Sequence, residues 1–204
     1  MRIGIITIVK VNNYGAELQA FATQKKMEMM GYDVEVIDYL YYKDWHFNDT
    51  AMAQPLVKMN GKDKLMYFFK YRIAAFLVDK VMPLINDNVK KRMVNFRDFH
   101  RKNTKFSRCF KSMDDLYREH LDYDVYVVGS DQVWNPGASS SIEPYFLTFA
   151  PQGARTFSYA SSFGVDKIGS SIMPKMKTHR GTAKRVKVTG TGKFVVKHSE
   201  KMIW

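Results

Sequence analysis

A short apolar run that ends abruptly in polar residues, YDVYVVGSDQVWN at 123–135, most constrains the fold of this chain. Residues 124–128 combine Val and Tyr, which are strong strand formers. The run stops at Gly129 and is followed at once by Ser130 and Asp131. Because ligands in open α/β sheets bind beside the carboxyl ends of strands, this run predicts a ligand site or, alternatively, a strand that leaves the core through an ordinary polar turn.

The first 39 residues predict a βαβ unit. Arg2–Val9 is a nearly continuous β-branched run, as expected of a strand that is covered on both faces of a parallel sheet. A helix from about Ala16 to Met30 follows and Gly31 stops it, and Asp33–Tyr39 is the second predicted strand. The pattern therefore predicts an α/β fold, with further strands at 104–110, 124–128 and 155–162.

The region after the βαβ unit predicts a loop and then two helices. Residues 40–60 form the loop, in which His46 is either a ligand contact or part of a partly exposed aromatic cluster. Lys62–Ile85 has helical spacing, and we expect Pro83 to end or kink that helix. A second, more basic helix is predicted at Val89–His100, and its charges indicate a solvated face rather than a binding stripe.

Charge and composition exclude several classes of protein. The net charge is +12, but residues 173–204 hold nine Lys or Arg and one acidic residue, so residues 1–172 need no polyanion to explain their charge. The single cysteine, Cys109, excludes an internal disulfide and suits a reducing cytoplasm. No apolar run approaches the roughly 20 residues of a membrane span. We predict no metal site and no cofactor, and an oligomer is possible.

The turn Asn12–Gly15 follows the first strand and opens the first helix. Backbone amides and the helix dipole at such a turn favour a bound anion. The alternative is an N-cap and a tight turn, for which Asn and Gly are sufficient. Since the turn lacks the G-x-G-x-x-G pattern, we predict no dinucleotide site.

Four separated blocks of residues 1–168 resemble the polysaccharide pyruvyl transferase family. They are NNYGAELQAFA with GYDVEVIDY at 12–39, YDVYVVGSDQVWNP at 123–136, YFLTF at 145–149 and RTFSYASSFG at 155–164. The resemblance implies a two-domain fold like that of the GT-B glycosyltransferases, of which this chain supplies the N-terminal Rossmann-like half, a parallel sheet with flanking helices. It also implies transfer of a pyruvyl group from phosphoenolpyruvate to two hydroxyls of a sugar in a cell-surface glycan, which leaves a ketal and phosphate.

The resemblance also suggests roles for individual residues. Asp131 is the candidate for acid–base or hydroxyl-orienting catalysis, and a cap or turn hydrogen bond is its alternative. We expect Asn13 and Asp131 to meet in one crevice, whereas packing is the alternative for Tyr159 and Ser161. The predicted substrate-binding residues are Asn12, Asn13, Tyr14, Gly15, Gln19, Gly129, Ser130, Gln132, Trp134, Asn135, Tyr159 and Ser161.

The chain departs from the family after about residue 168. Full members are expected to continue with a second half of the cleft, so we expect little or no turnover from this chain. The alternative to an enzyme domain is a non-catalytic remnant module that retains the fold. We also expect Trp134, Tyr145 and Phe163 to be uncovered. We therefore predict a domain at 1–168, with an inserted helical hairpin at about 61–102, and a basic, weakly ordered tail at 169–204. Residues 173–199 resemble the start of bacterial large-subunit ribosomal protein thirty-five, which implies a possible contact with ribosomal RNA.

Overall fold

A computed structural model of the chain describes residues 1–48, 60–135, 142–165, 186–188 and 194–196. The chain divides into two compact units, Met1–Ile168 and Gly169–Trp204. Among the described residues, no helix combines the length and apolar character that crossing a membrane requires.

The first unit contains a five-stranded parallel sheet in the order β3-β2-β1-β4-β5. This arrangement confirms the predicted α/β class, a Rossmann-like parallel sheet with flanking helices. The chain adds β2 and β3 on one side of β1 and then returns to its other side with β4 and β5, so the strand order reverses between β1 and β4. The strands are β1 (Arg2–Ile6), β2 (Asp33–Tyr39), β3 (Phe106–Phe110), β4 (Val125–Val128) and β5 (Arg155–Ser158).

Both faces of the central strands are buried, which explains why their sequences are continuously apolar rather than alternating. On one face Ile3 and Ile5 pack with Val125 and Val127. On the other face Ile6 and its neighbours join a larger cluster that is rich in tyrosine and phenylalanine. The core of the first unit therefore lies on the two sides of β1 and β4.

Strand β1 is shorter than predicted, because it ends at Ile6 rather than Val9. Residues 7–9 remain buried although they pair with none of the described strands, and Lys10 then turns the chain away with a φ of 56°. The apolar run in the sequence therefore indicates buried residues, and these extend past the end of strand β1. Helix α1 (Tyr14–Met29) begins two residues before the predicted start, and Gly31 follows its end with a φ of 88°.

The helices that follow are more irregular than the sequence predicts. Segment 61–85 is helical throughout: α2 (Gly61–Phe68), a π-helical turn (Phe69–Ile73), α3 (Ala74–Phe76), a second π-helical turn (Leu77–Val81) and α4 (Met82–Ile85). Pro83 does not end the segment, because it lies in the first turn of α4, where a missing amide costs little. Asn86 ends the segment and caps α5 (Asp87–Asn103), and α6 (Met113–Arg118) and a 3₁₀ turn (Glu143–Phe146) come later.

Aromatic and polar contacts attach these helices to the sheet domain. Helix α5 packs on α1 through Tyr14 and Phe96, whose ring centroids are 4.7 Å apart, and through His100, whose Nε2 lies 2.5 Å from Oε2 of Glu17. His46 packs its ring against Trp45 at 3.6 Å and bonds to Asp44. It therefore belongs to a partly exposed aromatic cluster.

The second unit contains two described strands, β6 (Val186–Val188) and β7 (Phe194–Val196), which pair antiparallel. The predicted weak order of the tail concerns mostly residues that lie outside the described part of the chain.

Candidate functional site

A cavity of about 330 Å³ lies at the carboxyl edge of the sheet, where the strand order reverses between β1 and β4. Such a position is the usual ligand site of open α/β sheets. The structure places Asn13 and Asp131 in this one cavity, as the sequence predicts. Its lining residues are Ile8, Val11, Asn12, Asn13, Ala16, Tyr41, Lys43, Asp131, Gln132 and Asn135.

On the β1 side, Asn13 is the N-cap of α1. Its Oδ1 accepts hydrogen bonds from the amides of Gly15 at 2.9 Å and Ala16 at 3.4 Å. Arg92 donates to the carbonyl of Asn12 at 3.0 Å and so ties the turn to α5. Because the cap uses two of the first amides of α1, fewer amide donors remain for a bound anion.

On the β4 side, Asp131 adopts a φ of 88°, which is uncommon for a residue other than glycine. Its Oδ1 accepts from the amide of Gln132 at 2.7 Å, so the predicted turn hydrogen bond is present. Its carbonyl accepts from the amide of Ser162 at 3.0 Å. Strained conformations of this kind concentrate at ligand sites, and here the strain holds a carboxylate at the wall of the cavity.

A partly buried polar link holds the two sides of the site together. Gln19 Nε2 donates to Thr7 Oγ1 at 3.0 Å, and Ser130 Oγ donates to Gln19 Oε1 at 2.5 Å. Thr7 Oγ1 donates to the carbonyl of Ser130 at 2.8 Å and closes the ring of contacts. Gln19 and Ser130, both predicted to bind substrate, therefore position the turn after β4, and direct contact with a ligand remains a prediction for them.

The turn after β4 can pack against β5 because residue 129 is glycine. Gly129 has a φ of 110°, and a Cβ atom there would lie 2.1 Å from the carbonyl oxygen of Tyr159 and 2.5 Å from Ser161 Oγ. Ser161 Oγ donates to the carbonyl of Val128 at 3.1 Å. Gly129 and Ser161 therefore have packing roles, whereas the Tyr159 ring is exposed to solvent.

Trp134, predicted to bind substrate, packs largely into the protein. Trp134 Nε1 donates to the carbonyl of Tyr145 at 2.8 Å, and its ring contacts Phe146 and Phe163 at centroid distances of 5.7 and 5.5 Å. The expected exposure of Tyr145 is wrong, because Tyr145 is 1% exposed and packs against the core ring of Tyr39. Trp134 and Phe163 are partly buried, so these three side chains form no shared exposed patch.

Two cavity residues that the sequence analysis missed come from the segment after β2. Tyr41 and Lys43 both line the cavity, and the Lys43 ammonium lies 5.7 Å from the centroid of the Tyr41 ring. Their position after a parallel strand was a usable signal, because it places them at the same sheet edge. Within the described part of the chain, no group of three His, Cys, Asp or Glu side chains is placed to hold a metal ion.

Comparison with known families assigns most of the chain. The profile described as "Polysaccharide pyruvyl transferase" matches residues 13–185, a range that includes residues 13–15 of the turn after β1 and all of the turn after β4. The chain belongs to the polysaccharide pyruvyl transferase family. No solved structure matches the chain.

A second profile, described as "Ribosomal protein L35", matches residues 174–202 of this pyruvyl transferase family member. The chain is 83% identical over 29 residues to large ribosomal subunit protein bL35 of Fusobacterium nucleatum, which is 14% of this chain and 43% of the relative. It is 74% identical over 27 residues to the Desulfitobacterium hafniense protein of the same name, which is 13% of this chain and 42% of that relative. The chain thus spans less than half the length of these curated relatives.

Proposed function

We propose that the fold of this chain serves the transfer of a pyruvyl group from phosphoenolpyruvate to two hydroxyls of a sugar in a cell-surface glycan, and that the chain alone turns over weakly or not at all. The observation that carries the proposal is the single cavity lined by Asn12 and Asn13 after β1 and by Asp131, Gln132 and Asn135 after β4. Membership of the pyruvyl transferase family supports the class of reaction. The proposal places the reaction in the cytoplasm, in a cleft of a two-domain, GT-B-like protein.

The proposed reaction forms two bonds from sugar oxygens to the central carbon of phosphoenolpyruvate. The bond from that carbon to the phosphate oxygen breaks, and phosphate leaves. The terminal carbon gains one proton and becomes a methyl group, while the second hydroxyl proton leaves with the phosphate. Asp131 accepts a proton from an attacking hydroxyl and orients the sugar, which suits a carboxylate at the cavity wall.

The cavity offers different groups to the two substrates. The side-chain amides of Gln132 and Asn135 suit hydrogen bonds with sugar hydroxyls, and these two amides lie within 3.0 Å of each other. Lys43 brings positive charge to the same cavity and suits the carboxylate and phosphate of the donor. Because Asn13 caps α1, we assign more of the donor's binding to Lys43 than to the helix amides.

The test is an Asp131→Asn substitution, with Asp122→Asn in an exposed loop as its matched control. Phosphate release from phosphoenolpyruvate with a glycan acceptor is measured, and the ketal product is detected by mass spectrometry. We expect Asp131→Asn to remove whatever turnover the parent chain shows, and Asp122→Asn to leave that turnover unchanged. In parallel, titration calorimetry measures the binding of phosphoenolpyruvate and of the glycan acceptor to the parent chain and to each variant. Absence of both turnover and saturable binding in the parent chain would overturn the proposal.

A second candidate function rests on the tail. Its similarity to large ribosomal subunit protein bL35 over 29 residues, and its nine basic residues against one acidic residue at 173–204, favour contact with RNA phosphates. We expect the Lys184→Glu, Arg185→Glu double variant to lower RNA affinity and to reduce its salt dependence. An RNA affinity that this change leaves intact contradicts the candidate.

A further inference from the structure

The helical segment 61–85 exposes an unusual number of large apolar side chains. Leu84 is 82% exposed, and the other exposed side chains of the segment are Leu65, Met66, Phe68, Phe69, Ile73, Phe76, Leu77, Val78, Val81 and Ile85. Isolated exposed apolar residues are ordinary, but a run of them along one helical segment indicates a contact surface. We call these side chains, apart from Phe76, which packs on Trp45, the apolar face.

The side of the segment that faces the sheet domain is already occupied. Arg72 donates to the carbonyl of Asp44 at 3.0 Å, and Asp79 accepts from Trp45 Nε1 at 2.8 Å. Phe76 packs edge-on against Trp45, with ring centroids 5.2 Å apart. Residues 72, 76 and 79 follow helical spacing and share one side, so Met66, Ile73, Leu77 and Leu84 lie on a different side.

The apolar face is accompanied by a concentration of positive charge. Residues 61–103 hold eleven Lys or Arg and four Asp. Residues 1–60 and 104–172 together hold twelve Lys or Arg and fifteen Asp or Glu. Within residues 1–172 the excess positive charge therefore belongs to residues 61–103. Segment 61–85, which carries the apolar face, holds five Lys or Arg and two Asp, and the neighbouring helix α5 holds six Lys or Arg and two Asp.

Exposed apolar side chains beside positive charge favour a partner that is both apolar and anionic. A second copy of the chain would bring like charges together across the contact, which is costly. A surface that is both apolar and anionic is complementary to exposed Leu, Met and Ile side chains flanked by lysines, and a bilayer of anionic lipids is such a surface. Since none of the described helices can cross a membrane, the segment would lie on the bilayer rather than span it.

We propose that segment 61–85 docks the protein on an anionic membrane surface, with Met66, Leu77 and Leu84 inserted at the boundary between headgroups and acyl chains. The proposal goes beyond the pyruvyl transfer reaction, since it concerns a surface outside the cavity at β1 and β4. The exposed side chain of Lys62 then lies at the level of the anionic headgroups, whereas Lys80 pairs with Asp79 and lies over the Trp45 ring.

The first test is co-sedimentation of the full chain with vesicles of phosphatidylglycerol and phosphatidylcholine, or of phosphatidylcholine alone. Leu84→Glu is compared with Met29→Glu, because Met29 is 81% exposed at the end of α1. We expect Leu84→Glu to weaken binding to the anionic vesicles by about tenfold and Met29→Glu to leave it unchanged. Lys62→Glu should weaken it by about fivefold, against no change for Lys26→Glu.

The basic tail also attracts anionic vesicles, so a second test reports insertion directly. Leu84→Trp should give blue-shifted fluorescence and quenching by brominated phosphatidylglycerol, whereas Met29→Trp should give neither. Equal vesicle binding by Leu84→Glu and Met29→Glu, with no quenching of Leu84→Trp, would overturn the proposal. A lipid-free dimer that Leu84→Glu dissociates would overturn it in favour of a second copy.

Discussion

The sheet and the helical segment 61–85 are both rich in apolar residues, but they use them in opposite ways. In β1 and β4, Ile5, Ile6 and Val128 are almost completely buried. In segment 61–85, Leu84 and Ile85 are mostly exposed. Apolar content alone therefore does not define the core. The β-branched strands are covered on two faces, whereas the helical segment is covered on one side only.

The two regions also differ in how they relate to function. The sheet holds the turns after β1 and β4 in place through Thr7, Gln19 and Ser130. The polar cavity therefore rests on a rigid support, as precise positioning of reacting groups requires. The helical segment contributes a surface rather than a positioned group, so its side chains need less exact placement.

Truncation of one apolar residue in each region tests this contrast most strongly. Ile5→Ala should lower the free energy of unfolding by about 2–5 kcal/mol, because it leaves a cavity between β2 and β4. Leu84→Ala should change it by less than about 0.5 kcal/mol, because the side chain is exposed. Urea denaturation followed by circular dichroism measures both, and equal losses would show that segment 61–85 is part of the core.

Glycine substitutions compare the supported turn with an open one. Gly129→Ala should lower the free energy of unfolding by about 3 kcal/mol, because it combines a strained φ with a steric clash against Tyr159. Gly31 also has a positive φ, but no atom of the described residues lies within 4 Å of its Cβ position, so Gly31→Ala should lower the free energy of unfolding by only about 1 kcal/mol. If thermal unfolding shows that both variants lose stability to a similar extent, the turn after β4 does not pack tightly on β5.

The polar link is tested by replacing its buried hydroxyl. Thr7→Val should lower the free energy of unfolding by about 1–3 kcal/mol, because it leaves Gln19 Nε2 and the carbonyl of Ser130 without their partner. Thr156→Val on the exposed strand β5 is the matched control and should have little effect. If the two variants are equally stable, the link does not hold the site together.

The smallest expected effect is the change in protein stability with pH that arises from Cys109. Burial, aided by the Asp38 carboxylate, raises the pKa of Cys109 from 9.0 to about 11. Between these values the folded chain keeps a proton that the unfolded chain loses, so the contribution to stability is complete below pH 9 and is lost as pH rises towards 11. We expect the free energy of unfolding to fall by less than about 1 kcal/mol over this pH range, since the thiol is partly solvated. Cys109→Ala should flatten this part of the pH profile; an unchanged profile contradicts the assignment to Cys109.

The sequence predicts the order of elements well because each carries a local signal. The continuous β-branched runs identify β1 and β4, and Asn13 and Gly31 mark the ends of α1. Local signals fail where distant segments decide the outcome. The Thr7, Gln19 and Ser130 contacts join three separate parts of the chain, so no local pattern reveals them.

The candidate site was predictable to a similar degree. The polar residues after β1 and β4 follow from the rule that ligands bind at the carboxyl ends of parallel strands. Lys43 was missed because its segment lacks any periodic pattern, and the packing of Trp134 was missed because its partner, the carbonyl of Tyr145, lies 11 residues away. Side-chain roles in that region depend on tertiary packing rather than on local sequence.

The most direct test of the central claim is a titration of the full chain with phosphoenolpyruvate, followed by backbone amide chemical shifts in nuclear magnetic resonance. The claim is that the turns after β1 and β4 form one substrate site. We predict that the shifts change together, with one dissociation constant, at residues 11–16, 41–43 and 129–135. Changes confined to residues 61–103 or to the tail, or separate dissociation constants for the two turns, would contradict the claim.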